Sequence, residues 1–446
     1  MKNLLKRFDI SLDDEYINQK IRLEPTPLLD IGILPVEAAC KRIERTLEKV
    51  FIPTMQVNNL LRQFVAVAQE HVITFYPNET TYINNCYQRD LTRSDTWSPI
   101  GLTGTAGVGK SELLKALVRL LGDTGDTINI PGLPAYPIQS VWMMTMRSGG
   151  SLSQLLQPFR DPGGSFKAAQ DLDAIRISAA KKAYTSGVAL NVVDEFQFIT
   201  STQSAHAKAA NVLMQLSVIG PPLVFCVNYS MINKLMKRPQ QERQRLLSNI
   251  KFLYPDFANS EDWINTLAGQ FNVVPEAFSS DLAVNLACDA DAIHRYSFGI
   301  RRLSSKLLSI GYRHARERGS DVVKLSDIES AYKSSMFTSQ RQDVELLIQQ
   351  NIERKSARED LWCEMAEIHE RKVVEATKAI QGYKARVNQE LSKSSMNKQD
   401  REDLEMVLGR TEPEKKLSVL PIRRAKLTKE SMLDANKTFL DKYSPS

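Results

Sequence analysis

Gly104-Thr105-Ala106-Gly107-Val108-Gly109-Lys110-Ser111 matches a phosphate-cradling loop at every required position: glycine, four residues, glycine, lysine, then serine or threonine. The apolar Ile100-Gly101-Leu102-Thr103 precedes it, and the periodic Glu112-Leu113-Leu114-Lys115-Ala116-Leu117-Val118 follows. Strand, loop and helix in that order are the setting the pattern needs. Glycines let backbone N–H groups curl around an anion, and the helix start adds partial positive charge. Lys110 is then placed to reach the outer phosphates, and Ser111 to set its hydroxyl on Mg2+. The run from Gly104 through Glu112 is expected to bind a nucleoside triphosphate. A chance glycine-rich turn would not carry both flanks.

The rest of the chain sets bounds. Its 446 residues, 42% apolar and 25% charged, have the composition of an ordinary globular protein with room for two or three domains. No apolar run reaches the roughly eighteen residues that a membrane-spanning helix requires, so no membrane partner is expected. The start, Met1 to Phe8, turns acidic by Asp13-Asp14-Glu15 with no apolar leader core, and a cytoplasmic protein is expected. Cys40, Cys86, Cys226, Cys288 and Cys363 include no C-x-x-C pair, against both a disulfide framework and a zinc site. A net charge of +6 permits nucleic-acid binding without requiring it.

Residues 1–35, with Pro25, Pro27 and Pro35, read as an extended arm, and 36–98 as an N-terminal helical segment. From 99 to 257 apolar runs alternate with helical patterns, the signature of an α/β domain with a parallel sheet between helices. Strand candidates are Ile138–Met146, Val188–Val193, Leu223–Val227 and Lys251–Tyr254. Helix candidates are Ser151–Phe159, Asp173–Thr185, Ser204–Val218 and Met231–Asn249. Residues 258–337 read as an all-α lid, with helices over Glu261–Phe271, Ser280–Ala287, Asp291–Arg318 and Lys324–Met336; Ser326 is a candidate cap for the last. Residues 338–446 read as a charged, helical or disordered tail.

Four further signals bear on chemistry. Val192-Val193-Asp194-Glu195 sets an acidic pair at a strand tip, where Asp194 suits Mg2+ and Glu195 the attacking water; an N-cap uses the same residues. Asn228, ending Leu223–Val227, can bond the γ-phosphate or the water, or simply make a turn. No N-K-x-D sequence follows a strand of the core: Asn233-Lys234-Leu235-Met236 lacks the acid, and Asn397-Lys398-Gln399-Asp400 lies in the charged tail, which disfavours a GTPase and favours ATP. Arg238, Arg243 and Arg245 lie where a trans-acting arginine could sit, Arg243 and Arg245 being the better placed; all three also suit an exposed helix face. Gly299-Ile300-Arg301-Arg302 offers Arg302 as a lid residue swinging onto the nucleotide.

This order of elements resembles the AAA+ ATPases, and within them the TnsC/TniB-type regulators of bacterial DNA transposons. The family-like stretches are Val188–Phe198 with its Val-Val-Asp-Glu-Phe-Gln, Met146–Leu152, and Asp327–Gln349. The resemblance implies an ATPase completed between subunits and a ring or helical filament on double-stranded DNA in the bacterial nucleoid. It also implies a link from a target-selector protein to transposase subunits, broken by ATP hydrolysis. Arg147, Lys167, Lys181 and Lys182 lie where that family contacts DNA, though each also suits an ordinary surface charge. A remodelling or loader ATPase is the competing reading, and no aromatic-Val-Gly pore element follows the second strand. A defence or signalling ATPase ranks last, since the tail holds no nuclease-like carboxylate cluster.

Overall fold

The computed structural model describes residues 2–88, 91, 97–122, 125–130, 132, 135–147, 151–156, 159, 172–199, 205–279 and 283–369. The chain divides into two units, Met1–Arg371 and Lys372–Ser446, and every described residue belongs to the first.

Five short strands, β1 (Ile100–Thr103), β2 (Val141–Thr145), β3 (Leu190–Asp194), β4 (Leu223–Val227) and β5 (Ile250–Phe252), pair in the order β2-β3-β4-β1-β5. All pairings are parallel. Successive side chains on a strand point to opposite faces. Ile100, Leu102, Leu190, Val192 and Val224 therefore pack on one face, with Leu113 and Leu117 of helix Lys110–Leu121 and Leu61 and Phe64 of helix Met55–Phe75. Val193, Leu223, Phe225 and Val227 pack on the other, against Leu213, Leu216 and Ile232. Helices cover both faces, which is why β3 and β4 read as nearly unbroken apolar runs. β4 enters between β1 and β3, and Thr103↔Val227 and Val193↔Phe225 are in register. The C-terminal ends of β1, β3 and β4 thus lie side by side, about 5 Å apart per strand.

The expected α/β core and helical lid are present, with several local departures. The arm expected over 1–35 is instead folded. Lys2–Lys6 and Asp14–Ile21 are helices, and Leu4, Phe8, Ile17 and Ile21 are buried in the sheet's core. Asp13 caps the second helix through Tyr16 N–H, and Ile17 and Ile21 share one helical face; the prolines come only after it. The segment 36–98 is divided between two cores. Helix Val36–Leu47 packs Ala39, Ile43 and Leu47 into the lid with Trp263, Leu267 and Leu308, whereas Met55–Phe75 belongs to the sheet.

The helix expected over Met231–Asn249 breaks at Pro239 into Tyr229–Met236 and Gln240–Leu247. That expected over Asp291–Arg318 breaks at Phe298 and Gly299, both left-handed, into Leu286–Ser297 and Arg301–Glu317. Helix Leu325–Lys333 starts without a serine cap; Asp327 Oδ2 accepts from Lys324 N–H at 2.9 Å. The charged tail expected from 338 is ordered chain as far as it is described. Helix Thr338–Glu353 buries Val344 and Leu347, and Cys363 and Ala366 then return to the core, where Tyr254 Oη donates to Ala366 O at 2.9 Å.

Candidate functional site

A cleft of about 1000 Å³ opens where the three aligned strands end. Open parallel sheets bind ligands at such strand ends, where the chain order reverses. Gly107, Gly109, Lys110, Ser111, Glu195, Asn228 and Arg302 all line it. Four sequence signals separated by up to about 200 positions therefore meet in one site.

The loop from Gly104 to Ser111 is held open by its glycines. Gly107 and Gly109 have φ of 83° and 110°, a region in which side chains are strained. Gly104 lies so near β5 that a Cβ would stand 2.2 Å from Leu253 O. Gly104→Ala is expected to push the loop off β5, costing about 1–3 kcal/mol in stability, read as a lower melting temperature. Unchanged melting would mean that Leu253 yields. Thr105 and Val108 are buried, and Ala106 is exposed at the crest.

Lys110 is only 8% exposed. Its Nζ donates to Gly104 O and Thr105 O, both at 2.9 Å, rather than projecting outward as expected for phosphate contact. A buried ammonium must find acceptors, and the loop's own carbonyls supply them. Burial pushes its pKa down, opposed by the thiol of Cys226 and the carboxylates of Glu195 and Asp194. An arriving phosphate would offer stronger, charged acceptors within reach.

Asp194 ends β3, buried, and its Oδ1 accepts from Glu195 N–H at 2.8 Å. Next to it on β4, the fully buried Cys226 thiol is pushed up by desolvation. Glu195 takes φ of 54°, left-handed for a residue with a side chain, so the chain turns sharply and the two carboxylates diverge. Glu195 is half-buried and lines the cleft. Asn228 stands at the N-cap of helix Tyr229–Met236 but makes no side-chain cap bond, and its side chain faces the cleft between β1 and β3. At Asn228 the turn reading therefore describes the backbone but not the side chain, whereas the Asp194 side chain does bond the backbone of its own turn.

The lid closes the far side. The break at Gly299 starts helix Arg301–Glu317 against the loop, where Arg302 N–H donates to Gly107 O at 3.3 Å. Arg302 lines the cleft, while Arg301 is anchored: its Nε lies 3.4 Å from Asp256 Oδ2 and its Nη1 donates to Ile52 O at 3.0 Å. The apolar end of the cleft is formed by Leu23, Val50, Phe51 and Ile52, with Gln270 beside them. Leu23 and Phe51 exchange backbone hydrogen bonds at 2.9 Å, so the folded N-terminal segment walls the site. No local pattern marks these residues, because their place depends on pairing across the chain.

Arg243 and Arg245 are exposed on helix Gln240–Leu247 and do not line this chain's own cleft. Arg238 is paired with Glu242 one helical turn on, its Nε and Nη2 donating at 2.8 and 2.9 Å. Of the proposed DNA contacts that are described, Arg147 and the Lys181–Lys182 pair lie toward opposite ends of β2. Arg147 follows the C-terminal end of β2, whereas Lys181 and Lys182 end helix Leu172–Thr185 beside Ser186, whose carbonyl accepts from Gln139 N–H just before β2 begins. Lys167 lies outside the described residues.

The oxygen donors of Ser111 and Asp194 suit a hard divalent cation, and the loop, whose positive φ at Gly107 and Gly109 suits glycine, suits phosphate. Among the described residues no cluster of three His, Cys, Asp or Glu side chains could hold a metal without such a phosphate. No helix among them is long and apolar enough to cross a membrane.

No family model and no curated protein matches this chain. Among solved structures it is similar to the ORC2 protein of Aeropyrum pernix in its ADPNP-ADP complexes, with 14% identity and a TM-score of 0.40 over 66% of this chain and 71% of that one. It is also similar to the RuvB Holliday junction branch migration motor of Thermotoga maritima, with 11% identity and a TM-score of 0.34 over 68% and 78%. PCH-2 of C. elegans is matched at 12% identity and a TM-score of 0.38 over 64% and 68%. Likenesses this remote add nothing about the site. The strand order, the phosphate-loop motif after β1, the acidic tip of β3 and the helical lid together make this a parallel α/β P-loop architecture with an all-α lid, as expected from the sequence.

Proposed function

We propose that this protein binds ATP with Mg2+ in the cleft, hydrolyses it, and oligomerises on double-stranded DNA as a regulator of transposition. One observation carries the nucleotide reading: the phosphate loop, Glu195, Asn228 and Arg302 converge on a single cleft, with Asp194 buried next to Glu195 at the tip of β3. Mg2+ held by Ser111 and Asp194 would polarise the outer phosphates. Lys110 exchanges the carbonyls of Gly104 and Thr105 for phosphate oxygens. Glu195 accepts the proton of the attacking water, and Asn228 donates to the γ-phosphate or orients that water. Arg302 reports the phosphate to the lid.

Exposure of Arg243 and Arg245 away from their own cleft supports a site completed by a neighbour. An arginine that reaches a γ-phosphate across subunits ties assembly to ATP, and hydrolysis releases that tie. Gripping DNA in such a ring or filament needs phosphate contacts rather than base reading. The roles of target selector and transposase as partners rest on the resemblance around Val188–Phe198.

The test is mass photometry and electron microscopy of the full chain with a non-hydrolysable ATP analogue, with and without duplex DNA. Rings or filaments that need nucleotide, and ATPase activity stimulated by DNA, are expected. A single-copy protein under both conditions overturns the proposal, and substrate unfolding without DNA would favour a remodelling ATPase. Mixing Arg245→Ala with Glu195→Gln subunits is expected to recover ATPase activity, because the second donates the arginine that the first lacks. No recovery, repeated with Arg243→Ala, would remove the trans arginine.

A further inference from the structure

We infer that Gln197 is the positioning residue for the carboxylate of Glu195, an inference that rests on the hydrolytic reading above. Glu195 stands in a left-handed turn at the end of β3. The chain then enters a 3-10 turn, Phe196–Ile199, closed by Phe198 N–H donating to Glu195 O at 3.0 Å. Phe196 and Ile199 are buried in the core on the far side of the sheet from the phosphate-loop helix. With both ends of the turn anchored, Gln197 and Glu195 are left facing the cleft, and both line it. Gln197 Nε2 donates to Glu195 Oε2.

The bond occupies one carboxylate oxygen and leaves Oε1 for a water. A glutamate side chain has three rotatable torsions, and a base must meet its proton within hydrogen-bond reach. A donor two residues away on an anchored turn removes most of that freedom. Its neutrality matters as well. An ammonium or guanidinium at this place would stabilise the carboxylate strongly and weaken it as a base, whereas a neutral amide orients it and lowers its basicity much less. The sequence contains the hint only as the glutamine two positions after Glu195, and the hydrogen bond gives it a role.

Gln197→Met keeps the side chain's length and removes the donor. Its kcat for ATP hydrolysis by the full chain is expected to fall about 10- to 100-fold, since misplacing a reacting group costs on that order. Affinity for the non-hydrolysable analogue should stay within about twofold. In a Glu195→Gln background the same change should add no further loss, because a positioned group that no longer acts as a base has nothing to lose. Gln197→Asn, with its amide retained one carbon shorter, should recover part of the rate; Gln197→Ala serves if the methionine variant does not fold. Wild-type kcat in Gln197→Met, an equal loss of nucleotide affinity, or an additive loss in the double variant would each overturn the inference. The underlying reading fails separately: Glu195→Gln turning over at the normal rate removes Glu195 as the base, whereas a dead Glu195→Gln beside a normal Gln197→Met removes only the role of Gln197.

Discussion

Lys110→Ala is expected to lose nucleotide binding while keeping the fold. The ammonium is buried, bonded to Gly104 O and Thr105 O, and its pKa is pushed down by desolvation. The folded chain therefore gains little from this charge, and the variant's melting temperature should hold or rise. Nucleotide binding is where the charge acts. Truncating one partner of a buried, hydrogen-bonded charge pair costs about 2–5 kcal/mol. At about 1.4 kcal/mol per decade, the loss of affinity is about 30-fold or more. Titration with a fluorescent ATP analogue measures it, alongside a thermal melt of the same preparation. Unchanged affinity would contradict the assignment of the loop, and a collapsed melt would show that Lys110 serves the fold instead. Nucleotide-dependent assembly should disappear with binding.

Glu195→Gln should separate binding from chemistry. Glutamine keeps the shape of the side chain and an oxygen that can accept from Gln197, but not the basicity. Loss of a positioned general base costs about 100- to 10,000-fold in rate. Phosphate release is expected to fall by that amount with analogue affinity unchanged, because Lys110, Ser111 and Asp194 remain in place. Assemblies formed with ATP should then persist for as long as those formed with the analogue. Hydrolysis at the normal rate would move the base elsewhere in the cleft, with Asp194, the other acidic strand-tip residue, as the next to test.

The two variants draw on parts of the site that were legible in different degrees. The phosphate loop was readable because its chemistry is local: glycines at positive φ, a lysine and a hydroxyl within eight consecutive residues make a cradle wherever they fold. Asp194 and Asn228 were readable because both end strands buried on both faces, and such strands announce themselves as apolar runs stopped by a polar tip. Arg302 was readable only through the glycine that breaks the helix before it. The reading of 1–35 as an extended arm failed because three prolines outweighed the quieter i, i+4 pair Ile17 and Ile21. The charged look of 338–369 hid Val344, Leu347, Cys363 and Ala366, whose burial comes from contact with the lid and core rather than from helical periodicity.

From composition and motif alone came an α/β domain with a phosphate-loop motif, an acidic strand tip and a helical lid, since each depends on neighbours in the chain. The insertion of β4 between β1 and β3, the wall built by Leu23 and Phe51, the Arg301–Asp256 anchor and the grip of Gln197 on Glu195 emerged only on folding. Apart from the last, they join residues tens or hundreds of positions apart, and the last needs an anchored turn. Short-range periodicity is blind to such meetings because burial and hydrogen bonding select them from many partners of equal local merit.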